Sequence, residues 1–225
     1  MSDGRAKTND ECFWGADCMN ALIMFDYDGV IVDSYELFSA CFMKACHQNK
    51  FYELDSPEKI LALFESNVFE ALLGFGLDDN SVHQILETFQ SDIGAYQNDM
   101  RLFDGISDTL KKIAKKNKIV IITSNISKAA KQVLINNGVS CFEDVLGAEK
   151  EKSKVKKIRQ TMARYPELPA YYIGDTKGDM IEGRKAGAIT VAALWGWHAV
   201  EKLEEGAPDH FVRSPEALLD LLDRN

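Results

Sequence analysis

Two periods of apolar residues alternate along the chain, and each predicts its own kind of element. Continuous β-rich runs at 21–25, 118–123, 170–174 and 189–195 read as strands, with weaker candidates at 142–146 and 210–212. Between them, apolar residues recur every three or four positions at 106–116, 127–137, 154–165 and 179–186. Gly138 and Gly187 stand where the second and fourth of these helices should stop. Strands that are apolar throughout need cover on both faces. The alternation therefore predicts an α/β fold, a parallel sheet with helices on both faces.

One segment breaks the pattern. From about Tyr35 to Arg101 the sequence looks entirely helical, with apolar faces at 37–46, 60–73 and 82–93. An all-helical insertion after the first strand would sit above the carboxyl ends of the strands, where open α/β sheets bind ligands. A lid that excludes water and selects substrate is one use for it, and an extra helical layer is the other. The organisation read from the sequence is an N-terminal extension at 1–20, a core made of 21–35 and 102–225, and a helical cap at 36–101.

Composition narrows the functional classes. A chain of 225 residues supports one well-packed core with an insertion. Its net charge of −9 argues against a general nucleic-acid binder, which needs clustered Lys and Arg. Small anions held locally by a metal and a few lysines are the expected ligands. The five cysteines (Cys12, Cys18, Cys41, Cys46, Cys141) are odd in number and form no Cys-x-x-Cys pair, so they read as reduced, mostly packing thiols. A zinc or redox role for Cys12 and Cys18 is disfavoured, since no histidine or third cysteine lies nearby. The first twenty residues lack an apolar signal-peptide core, and no run is long enough to cross a bilayer, so the expectation is a cytoplasmic protein with no membrane partner. Phe13 and Trp14 would pack the extension onto the core, or belong to a frayed leader.

Three places carry chemistry. In Asp26-Tyr27-Asp28-Gly29-Val30-Ile31-Val32-Asp33-Ser34, two carboxylates two residues apart leave a buried strand on one side, and Gly29 permits a sharp turn. Unpaired charge there is costly, so a cation is expected close by, and oxygen ligands suit magnesium. The second is Thr123-Ser124-Asn125, small polar residues between a buried strand and a helix. Helix N-termini favour anions, which makes these residues candidates for holding phosphate; simple capping by Ser124, Asn125 or Ser127 competes evenly. The third is Gly174-Asp175-Thr176-Lys177-Gly178-Asp179. In a parallel sheet Asp175 emerges at the same rim as Asp26 and can complete a magnesium site, while Asp179 binds through water, orients a lysine or caps a helix.

These three stretches together resemble the motifs of the haloacid dehalogenase superfamily, over the chain from about Ala21 onward. The insertion and the run Ala186-Gly187-Ala188-Ile189-Thr190-Val191 are similar to its phosphoglycolate-phosphatase-like branch. The resemblance implies a Rossmann-like core with a helical cap, and a phosphatase acting on a small phosphorylated metabolite. Asp26 would be the nucleophile and Asp28 the acid and base. Asp26, Asp175 and the backbone carbonyl of Asp28 would hold Mg2+, with Asp179 beside them, and Thr123, Ser124 and Asn125 would lie at the phosphate. An acid at Asp28 points to phosphate esters, since dehalogenases and phosphonatases of the family typically lack one. The family's motif lysine departs from the common Lys-Pro pattern: the region 149–157 has no proline, and Lys154 is favoured over Lys152. A phosphomutase using the same residues, and a non-catalytic binding module that kept the fold, are the rival readings. Substrate identity and oligomeric state are not legible.

Overall fold

The computed structural model describes residues 20–65, 67–96 and 99–223. The N-terminal extension, with Cys12, Phe13, Trp14 and Cys18, lies outside the described residues save for Asn20.

Six strands form one sheet: β1 (Leu22–Asp26), β4 (Lys118–Ile122), β5 (Asp144–Leu146), β6 (Ala170–Gly174), β7 (Ile189–Ala193) and β8 (His210–Val212). Their order is β5-β4-β1-β6-β7-β8, and every neighbouring pair is parallel. Residue parity decides which face each side chain covers. Ile23, Phe25, Ile119, Ile121, Tyr171 and Ile173 join one buried cluster, whereas Leu22, Met24, Val120, Ile122 and Tyr172 join another. Helices α5 (Ile106–Ile113), α6 (Ser127–Asn136), α7 (Lys154–Arg164), α8 (Lys177–Ala186), α9 (Val200–Glu205) and α10 (Ala217–Asp223) complete the core. The chain runs from β1 outward to β4 and β5, then returns to β6 on the other side of β1. That reversal opens a crevice at the carboxyl ends of β1, β4 and β6.

The insertion contains α1 (Tyr35–Gln48), α2 (Pro57–Ala62), a 3-10 turn at Leu63–Glu65, α3 (Val68–Gly74) and α4 (Asp79–Gly94). The segment predicted as helical throughout is corrected at two points. Arg101 belongs to a strand, β3 (Arg101–Leu102), paired antiparallel with β2 (Val32–Asp33) so that the two stems of the insertion are clipped together. The apolar face at 60–73 is split between α2, the 3-10 turn and α3. Two-residue strands are too short to show alternation, and a break between short helices leaves the apolar spacing intact. β7 also ends at Ala193, before the predicted Trp195, because the chain turns there and the Trp195 indole N–H donates to the Val30 carbonyl at 3.0 Å. Cys41, Cys46 and Cys141 are free thiols. No helix among the described residues is long and apolar enough to cross a membrane.

Candidate active site

Asp26 ends β1, in register with Ile122 at the end of β4, and Asp175 follows the last residue of β6. The parallel sheet thus brings the first and third sequence signals to one rim. Asp179 joins them from the first turn of α8, where it forms a capping box with Thr176: the Thr176 hydroxyl accepts from the Asp179 N–H, and the Thr176 N–H donates back to the carboxylate. Oxygens of Asp26, Asp175 and Asp179 lie within 4.8 Å of one another. All three residues are buried, at 6 %, 0 % and 1 % exposure.

Lys154, at the start of α7, reaches this cluster. Its ammonium is 2.9 Å from Asp26 Oδ1 and 2.7 Å from Asp179 Oδ1. Lys152 lies elsewhere, with Nζ 3.2 Å from His83 Nε2 on α4. Asp179 is further held by the Tyr172 hydroxyl at 3.0 Å and the Thr176 hydroxyl at 2.6 Å. Burial works against its ionisation, but Lys154 and these donors outweigh burial and keep its pKa below the ordinary value. Asp26 goes the other way. Burial pushes it up to about 8 against the pull of Lys154, and Asp179 adds to the rise. Burial and the charges of Asp179 and Asp26 drive Asp175 well above the usual carboxylate range.

One ammonium therefore faces three buried carboxylates, and Asp175 Oδ1 is buried with no hydrogen-bond partner. That imbalance is relieved either by protonation, the direction in which Asp26 and Asp175 are pushed, or by a cation that keeps them ionised. A hard divalent ion with oxygen ligands fits these donors, and magnesium is the ion best suited to few protein ligands plus water and phosphate. Asp175 Oδ2 is already directed by the backbone N–H of Trp197 at 2.8 Å. Two glycines make room for this carboxylate. A Cβ on Gly29, whose φ is +76°, would lie 1.9 Å from Asp175 Oδ2, and one on Gly196 would lie 2.2 Å from Asp175 Cβ.

Asp28 sits apart from the carboxylate cluster. Ser34 donates to its Oδ1 and the Asn125 amide to its Oδ2, both at 2.7 Å. Burial raises its pKa to about 6, less than burial alone would, because Ser34, Lys154 and Asn125 favour the charged form. A carboxyl poised there can give and take a proton near neutrality.

At the second sequence signal, the capping alternative is not what forms. Ser124, Asn125 and Ser127 make no side-chain cap on α6; the N-cap position is Ile126. The helix end has its own anion instead. Glu149 accepts from the Ser127 N–H at 3.1 Å and from the Ser127 hydroxyl. Thr123 is buried, and its hydroxyl accepts from the Asn125 N–H at 3.0 Å. Lys157 was missed by sequence reasoning. It is 1 % exposed, and its ammonium donates to the Thr123 carbonyl. Burial and the charge of Lys154 lower its pKa to about 8. A basic run on an amphipathic helix reads as a solvated face, and nothing in its spacing marks which lysine turns inward.

Comparison with known proteins identifies the family and the fold. Residues 23–193 match the family model of haloacid dehalogenase-like hydrolases. Among curated relatives, phosphoglycolate phosphatase of Aquifex aeolicus is 27 % identical over 215 residues, covering 91 % of this chain and 97 % of the relative. Pyrophosphatase PpaX of Oceanobacillus iheyensis is 24 % identical over 210 residues, with 89 % and 95 % covered. A crystal structure of a predicted phosphatase from Clostridium acetobutylicum shares the fold with a TM-score of 0.79 at 18 % identity, covering 92 % of this chain and all of that one. A haloacid dehalogenase-like protein of Streptococcus pneumoniae superposes with a TM-score of 0.76 at 23 % identity, over 90 % and 98 % of the two chains. With its carboxylates at the rim of a parallel sheet and a match from β1 through β7, the chain belongs to the haloacid dehalogenase-like hydrolases.

Proposed function

We propose that this protein is a magnesium-dependent phosphatase that hydrolyses a small phosphomonoester through an aspartyl-phosphate on Asp26. The observation that carries the reading is the difference between Asp26 and Asp28. Asp26 lies in the carboxylate and lysine cluster, whereas Asp28 is held outside it by Ser34 and Asn125 with a pKa of about 6. Asp26 attacks phosphorus and takes the phosphoryl group. Asp28 protonates the departing oxygen, then removes a proton from the water that hydrolyses the aspartyl-phosphate. Lys154 orients Asp26 and offsets negative charge as the phosphate approaches. Thr123, Ser124 and Asn125 hold the transferred oxygens, and Lys157 braces that loop from behind. Asp26, Asp175 and the Asp28 carbonyl would hold magnesium, which when bound neutralises phosphate charge that the three carboxylates would otherwise repel.

The helices between β2 and β3 act as the cap of this site. Two of their lysines are already paired, Lys44 with Asp92 at 3.0 Å and Lys59 with Asp55 at 2.7 Å. That supports a small ester over a polyanionic nucleotide. The experiment is phosphate release from a panel of small phosphomonoesters, with pyrophosphate and phosphoglycolate included because relatives carry those names. It is run with and without magnesium, for wild type and Asp26→Asn. Magnesium-dependent release that vanishes in the variant is expected; release that survives in Asp26→Asn overturns the covalent route.

A further inference from the structure

The loop after β7 touches the carboxylate cluster and the helical insertion at once. Its backbone holds Asp175: the Trp197 N–H donates to Asp175 Oδ2 at 2.8 Å, and the His198 N–H donates to the Asp175 carbonyl at 3.2 Å. Its side chains point into the insertion. The Trp197 ring packs on Tyr35, Phe38 and Phe64 with centroids 5.7, 4.9 and 5.1 Å away. His198 bridges in a second way. A backbone N–H can only donate, so the Lys177 N–H at 3.0 Å makes His198 Nδ1 an acceptor, and Nε2 carries the hydrogen toward the Leu61 carbonyl of α2 at 3.3 Å. Lys177 opens α8, the helix that carries Asp179. Adjacent residues thus tie both Asp175 and the base of Asp179 to the insertion, and Gly196 leaves the loop no slack, with its would-be Cβ 2.5 Å from Asp175 Oδ2.

We infer that Trp197 and His198 are positioning residues that couple the seating of the helical insertion to the metal-holding geometry of Asp175 and Asp179. The inference rests on the magnesium site proposed above. Seating the insertion presses the Trp197 ring into its aromatic cluster and holds the backbone N–H on Asp175 Oδ2, which leaves Oδ1 free for the cation. Coupling of this kind is reciprocal: a contact that raises cation affinity is itself strengthened by the cation.

The test uses the full chain and magnesium chloride alone, without substrate. Calorimetric titration compares wild type with Phe64→Ala, which removes an aromatic partner of Trp197 and no carboxylate contact. Phe69→Ala is the control, since Phe69 packs on His83 within the insertion and has no ring contact with Trp197. Phe64→Leu replaces Phe64→Ala should that variant fail to fold. Magnesium affinity should fall by about fivefold or more at Phe64 and stay at the wild-type value in the control. Hydrogen exchange supplies the reciprocal readout, with magnesium slowing amide exchange in α1 and α2 of wild type. Equal affinity in wild type and the Phe64 variant, or an equal loss in the control, overturns the coupling alone. Wild type that takes up no magnesium overturns the metal site and the coupling with it.

Discussion

Replacing Lys157 by methionine should produce a stability difference from wild type that depends on pH, in a direction fixed by the environment of the ammonium. Lys157 is 1 % exposed, and burial together with Lys154 lowers its pKa from 10.5 to about 8. Below pH 8 the folded protein carries a buried charge that the unfolded chain would keep in water. Between pH 8 and 10.5 the folded state has released the proton while the unfolded state still binds it, so wild-type stability gains as pH rises through this window. Linkage gives a full cost of roughly 3 kcal/mol for a pKa lowered this far. Nearly all of that cost remains at pH 7 and about 1 kcal/mol at pH 10. Methionine of similar volume carries no such cost at either pH, but it forfeits the hydrogen bond to the Thr123 carbonyl, worth about 1 kcal/mol. The variant should therefore match or exceed wild type at pH 7 and lose roughly 2 kcal/mol relative to it by pH 10. Urea unfolding of both proteins at the two pH values measures this, because contributions common to both cancel. A difference that is the same at pH 7 and pH 10 would refute the claim that Lys157 is a strained, buried charge. The same variant should lose turnover, since the Thr123 carbonyl no longer has its brace.

Three further outcomes are expected. Asp28→Asn should lower kcat by about 100-fold or more while Asp26 still accepts the phosphoryl group from an ester with a good leaving group; acid-quenched protein with no bound phosphate would count against the division of roles. Lys154→Met, which strips the only ammonium from the carboxylate cluster among the described residues, should abolish turnover and cost about 3 kcal/mol in urea unfolding, while Lys152→Ala should leave both near wild type. Gly196→Ala must displace Asp175 or the Gly29 carbonyl, each within 2.5 Å of the new Cβ; calorimetry should show magnesium affinity lost, and unchanged affinity would mean that the Asp175 slot is not rigid.

Local pattern determined the layers of this fold and the carboxylates at its rim. Unbroken apolar runs such as Ile119–Ile122 can be stable only between two covering layers, and Asp26 and Asp175 are each the first charge after such a run, so both had to emerge at the same end of parallel strands. The choice of Lys154 over Lys152 was weaker in the sequence, because the residues around a charged helix start do not show which lysine lies inside the helix and which in the loop before its N-cap Ser153. Tertiary structure decided what distance in the chain conceals. Glu149 filling the end of α6, Lys157 turning under Thr123, Asn125 donating to Asp28 and Trp197 reaching Asp175 all join residues from separate elements. A lone polar side chain has no period to betray its direction. Whether it is solvated or spent on a buried partner depends on which other segment the folded sheet brings within hydrogen-bond reach.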